Sequence, residues 1–109
     1  MIRIKKMMNE GGTGTLRLTF TDENGAPVTP SKVTYTIHDV ASGTSVRAST
    51  EETPSSSVHN ISLIAADNAI VDASSVTEQR LVTLVADYGS GKKIPEEVVY
   101  PVRNMAKLP

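Results

Sequence analysis

Thr15-Leu16-Arg17-Leu18-Thr19-Phe20-Thr21 is the stretch that decides the fold. Leu16, Leu18 and Phe20 alternate with Thr15, Arg17, Thr19 and Thr21, a period of two that lays one face of a strand on a core and leaves the other in water. The run Asp22-Glu23-Asn24-Gly25 then reverses the chain, because Asn-Gly tolerates the positive φ that a tight turn demands. Residues 31–40 repeat the alternation, with Val33, Tyr35 and Ile37 set against Lys32, Thr34, Thr36 and His38.

Further along, Ala41-Ser42-Gly43-Thr44 predicts a turn into a short strand at residues 45–48, and the polar, Pro-interrupted residues 49–57 predict an exposed loop. Strand character returns over residues 58–64 through Ile61 and Leu63. Residues 65–75, which mix Ala, Asp and Asn, predict a helical turn or crossover. Val82, Leu84, Ala86 and Tyr88 share one face of a strand over residues 78–88, and Leu81 and Val85 mark its other face as partly covered, so it belongs in the middle of a sheet. Gly89-Ser90-Gly91 makes a hairpin into a last strand carrying Val98, Tyr100 and Val102, where Pro101 demands an edge, a bulge or an outward position.

Six or seven short strands with turn signals every ~8–12 residues is the spacing of an antiparallel β-sandwich with Greek-key connections. A small barrel and a jelly roll share that pattern. The domain reading is an N-terminal arm with a glycine-rich hinge over residues 1–14, a β-sandwich over 15–102, and a tail over 103–109.

Composition narrows the function. The 109 residues amount to one domain. Aromatic residues are 4%, too few for the stacking platforms of glycan or single-strand readers. A net charge of −1 lacks the cationic surplus that nucleic-acid binding requires. Without cysteine there is no disulfide, thiolate nucleophile or Cys-type zinc site, and without Cys and Trp no antibody-type core. No apolar run has the ~20 residues of a membrane span, and the start of the chain has no signal-peptide core, so synthesis in a cytoplasm is expected.

The local motifs are weak. Gly12-Thr13-Gly14-Thr15-Leu16-Arg17 starts like a dinucleotide fingerprint but puts Arg17 at the third glycine and precedes a strand. Gly89-Ser90-Gly91-Lys92-Lys93 fails as a phosphate loop, with Ala86 and Lys93 at key positions. Asp22-Glu23-Asn24-Gly25 lacks the further ligands of a calcium loop. His38 and His59 have no acidic cluster at ligand spacing, and no serine sits in a Gly-x-Ser-x-Gly elbow. The expectation is therefore no enzyme, no cofactor, no metal and no small-molecule substrate.

The ends stand out. Ile2, Ile4, Met7, Met8, Met105 and Leu108 are apolar without an evident place in a sandwich core, and Lys5, Lys6 and Arg103 lie among them. Such ends fray, or they dock on a neighbouring subunit, whose sheet edge offers unpaired N–H and C=O groups. These nine residues are the candidate protein interface.

The runs Gly14-Thr15-Leu16 through Phe20-Thr21-Asp22, Gly25-Ala26-Pro27-Val28-Thr29-Pro30, Val33-Thr34-Tyr35-Thr36-Ile37-His38-Asp39 and Ser42-Gly43-Thr44 carry a resemblance, joined by Asp67-Asn68-Ala69-Ile70, Glu78-Gln79-Arg80-Leu81-Val82-Thr83, Ala86-Asp87-Tyr88-Gly89 and Tyr100-Pro101-Val102-Arg103-Asn104. The chain resembles, over residues 14–104, small proteins encoded among the virion genes of tailed bacteriophages and prophages. The resemblance implies an immunoglobulin-like β-sandwich with no catalytic residues. It implies a virion component present in many copies in the head or head–tail region, as capsid decoration or collar, assembled in the host cytoplasm. Its partners would be major capsid or head–tail proteins and further copies of itself. An immunoglobulin-like binding module of a phage tail or bacterial surface protein is the alternative.

Overall fold

Alternation becomes burial in the computed structural model, which describes residues 2–107: Leu16, Leu18 and Phe20 are buried while Thr15, Arg17 and Thr19 are exposed. Eight strands are present among the described residues: β1 (Ile2–Arg3), β2 (Met8–Asn9), β3 (Gly14–Thr19), β4 (Lys32–Asp39), β5 (Ser45–Glu52), β6 (Val58–Leu63), β7 (Thr77–Asp87) and β8 (Lys93–Arg103). Short 3-10 turns occupy Ala65–Asn68 and Met105–Lys107. The protein is all-β, with no helix of seven or more residues among those described.

Two layers form. The wide one runs β1-β8-β7-β4-β5, with β2 in line after β1 along β8, and the narrow one holds only β3 and β6. β7 pairs antiparallel with β4 and with β8, the interior position its two-sided apolar pattern predicts. The inner faces meet in one cluster: Leu16, Leu18, Ile61 and Leu63 from the narrow layer, Val33, Tyr35, Ile37, Val82, Leu84, Val98, Tyr100 and Val102 from the wide one. Burying each such side chain contributes roughly 1.5–3 kcal/mol relative to exposure. The Asn24-Gly25 reversal is built by Asp22, whose Oδ1 accepts from the N–H of Asn24 and of Ala26, with Gly25 at φ +80°.

Three expectations are corrected. Residues 2–14 are not a free arm: β1 and β2 pair parallel with β8, setting Ile2 against Val98 and Met8 against Val102. Ile4 and Met8 pack on the core, so they do have a place there. The strand after the Ser42-Gly43 turn does not stop at residue 48 but continues to Glu52. Backbone pairing with β4, through two register irregularities, holds this polar edge strand where hydrophobicity gives no signal. Nor does the chain leave the fold at residue 103, since Arg103 pairs with Thr77 and Asn104 is buried.

Pro101 is accommodated by the same pairing. Ile4 N–H donates to Val99 O and Glu10 N–H to Arg103 O, so alternate β8 residues, Pro101 among them, turn their backbone groups toward the N-terminal segment. The missing N–H of Pro101 faces the gap between β1 and β2, where no ladder bond is required.

Candidate functional site

At one end of the body the inner faces run out of apolar residues. β7 continues its inward positions from Val82 to Arg80 and Glu78, and β4 continues from Ile37 to Asp39, and all three charged residues are buried. Arg80, 0% exposed, donates from Nη1 to Asp39 Oδ1 at 2.8 Å, from Nε to the Asp67 carbonyl at 3.1 Å and from Nη2 to the Ala69 carbonyl at 2.6 Å. Its Nη2 also lies 3.0 Å from Glu78 Oε1. Glu78 in turn accepts the N–H groups of Val71 and Asp72 at 2.9 and 2.8 Å. Burial works against the charged form of Glu78, yet those two N–H groups and the guanidinium outweigh it and hold the carboxyl below its ordinary value.

A second set of contacts fixes the start of the same connection. Asp67 accepts the Ile64 N–H at 2.8 Å and is paired with Arg47, whose Nε lies 3.0 Å from Oδ1 and whose Nη2 reaches the Ser62 carbonyl at 3.0 Å. Arg47 also bonds the Tyr35 hydroxyl, which donates to Glu52, and Glu52 meets His59 at 2.8 Å. Burial pushes the Tyr35 phenol up. Asn68 accepts from the Tyr100 hydroxyl at 2.9 Å and donates to the Gly12 carbonyl at 2.8 Å, tying the turn to the N-terminal segment. Burial, with the Asp67 charge behind it, drives the Tyr100 phenol upward. Asn104 closes the far side by donating to the carbonyls of Ala73 and Ser75.

Every buried side-chain nitrogen or oxygen among the described residues has a partner, so this network holds residues 64–76 in one shape. On that frame sit exposed apolar side chains. Five of the six large exposed hydrophobics among the described residues, Val40, Ile64, Val71, Val76 and Met105, belong to the loops and strand ends of this end of the molecule. Val76 is 63% exposed although its carbonyl accepts the buried Asn104 N–H. A rigid frame presenting apolar groups to water is suited to protein docking, because ordering has already been accomplished before contact.

The candidate interface residues divide accordingly. Ile2 is exposed on β1, Ile4, Met7 and Met8 are half-buried, and Lys5 and Lys6 are exposed between β1 and β2. Arg103 is exposed at the end of β8, opposite Thr77 and near Asn9, and the Met105 N–H donates to Glu10 Oε1 at 2.9 Å. The two ends of the chain are thus brought together. Leu108 lies outside the described residues. Val40, Ile64, Val71 and Val76 escape the sequence reading; Val76 does stand alone between Ser75 and Thr77, but Ile64 and Val71 follow the apolar Leu63 and Ile70 and give no separate signal.

No described group of three or more His, Asp or Glu residues is arranged to hold a metal ion. Compared with protein-family models, curated proteins and solved structures, the chain matches none.

Proposed function

We propose that the protein is a non-enzymatic structural component of a tailed-bacteriophage virion, in the capsid decoration or the head–tail collar. It would work by contact with major capsid or head–tail proteins and with copies of itself. The resemblance over residues 14–104 suggests the setting. The carrying observation is the end just described, where the buried ionic groups are engaged in fixing a loop whose outer surface shows Val71 and Val76 to water. Apolar side chains exposed together at one end of the molecule suit an association surface.

We propose an immunoglobulin-like Greek key as the finer fold. In support, the connections β3–β4, β5–β6 and β6–β7 cross between layers, β4–β5 and β7–β8 stay within one, and the N-terminal strands run parallel to the last strand. Mass spectrometry of purified particles is the direct test. The expected result is this polypeptide in intact virions in many copies per particle, and its absence from them would overturn the proposal.

A further inference from the structure

Sheet edges attract other strands unless something blocks them, and among the described residues β3 is the longest regular edge left without such a device. β8 is covered by β1 and β2, and its Pro95 and Pro101 stand on the outer side. β5 is irregular against β4 and carries Glu51 and Glu52. The outer side of β6 is occupied at both ends, where Arg47 bonds the Ser62 carbonyl and the Ser56 hydroxyl bonds both the N–H and the carbonyl of Val58, and β1 and β2 are edges of only two residues each. β3 has none of these devices: six regular residues without proline or bulge, paired on one side only.

The groups on that free side can be named. Phe20 N–H donates to Ser57 O, continuing the register Thr19 to Val58, so the even residues of β3 face β6. Thr15, Arg17 and Thr19 therefore turn their N–H and C=O groups outward. They open on a groove that exists because a narrow layer of two strands covers a wide one. Two cavities of about 140 and 210 Å³ lie along it, the first walled by Ile4, Met8 and Leu16, the second by Phe20, Leu84 and Ile94.

We infer that this edge pairs with the same edge of a second copy, deepening the assembly proposed above by naming one of its contacts. A second copy is the partner because the open edge it has to offer is again β3, and two equal edges close in a two-fold dimer. Centring the antiparallel pair on Leu18 uses the whole of residues 15–21. Leu18 meets its own counterpart, Leu16 meets Phe20, Thr15 meets Thr21, and Arg17 meets Thr19, joining the two narrow layers into one four-stranded sheet. Like charges are kept apart, since Arg17 does not face Arg17.

Sedimentation of the full chain over a concentration series, with residue-resolved amide exchange, tests this. The expected result is a dimer in which the Thr15, Arg17 and Thr19 amides gain protection with concentration, while those of Leu16 and Leu18 are protected throughout. Thr15→Lys with Thr21→Lys, at exposed positions, sets lysine against lysine twice and is expected to weaken the dimer by about 30-fold or more. Thr15→Lys with Thr21→Glu sets opposite charges across the same pairs and is expected to retain it. A monomer at every concentration, or a dimer indifferent to the lysine pair, overturns the edge. If the polypeptide is then still found in virions, the structural role stands and only this contact falls.

Discussion

Arg80 is where the sandwich changes from an apolar interior to a polar lock, and its loss would be felt more than that of any exposed charge. Arg80→Ala would leave Asp39 and Glu78 buried without their cation, at a cost of about 3–5 kcal/mol measured by urea unfolding. Glu78 adds a pH dependence of definite sign. Its carboxyl lies below its ordinary value in the folded protein, so the stability it contributes is present above about 4.5, the unfolded value, and is lost as pH falls through the lower folded one. Glu78→Gln is expected to lower stability at neutral pH and to flatten the acid limb of the unfolding profile. Both residues were legible in principle. The parity that puts Val82, Leu84 and Ala86 inward puts Arg80 and Glu78 inward too, but charge argues for exposure, and partners such as the Ala69 carbonyl and the Val71 N–H are visible only once the chain is folded.

Among the elements, the N-terminal strands are the ones sequence could not place. Ile2 and Ile4 alternate as a strand should, yet the partner is Val98–Val99, almost the whole chain away, and each ladder is two residues long. Pro101 held the complementary clue, since a missing N–H in an apolar strand implies a side with an interruption. The docking of β2 rests on Met8, which lies against Gly14: a Cβ built at Gly14 would fall 2.1 Å from Met8 Cε. Gly14→Ala should therefore only swing aside the methyl at the far end of the flexible methionine, costing less than about 1 kcal/mol, whereas Met8→Ala should remove the packing itself, at about 1–2 kcal/mol for a half-buried side chain. In urea titrations the two changes together are expected to cost no more than Met8→Ala alone, because the added methyl at residue 14 meets nothing but the Met8 side chain. Additive losses would show that Gly14 is constrained by something other than Met8. β5 teaches the converse lesson, since its second half, Ser49-Thr50-Glu51-Glu52, is a strand by backbone pairing alone.

Over the whole molecule, alternation made the two-layer β body legible, while the unequal width of the layers was not, because it depends on which strands pair rather than on which are apolar. That inequality leaves the β3 edge open, and it combines with the apolar end in a specific way. The body is 49 Å long, and β3 runs away from the apolar end, since Gly14 pairs with Leu63 beside Ile64. An antiparallel β3 pair therefore points the two apolar ends in opposite directions, making a bridge with a docking surface at each pole. Substitutions at the end and at the edge should then separate. Val76→Lys with Met105→Lys, at exposed positions, is expected to change unfolding free energy by no more than about 0.5 kcal/mol at either site while abolishing incorporation into particles. Thr15→Lys with Thr21→Lys keeps the docking end but leaves a one-ended monomer, so attachment should weaken by the roughly 10²–10⁴-fold that simultaneous engagement contributes, without disappearing at high concentration. Quantifying each variant in purified particles distinguishes the two surfaces, and normal incorporation of the end variant would show that Val76 and Met105 are not where the protein docks.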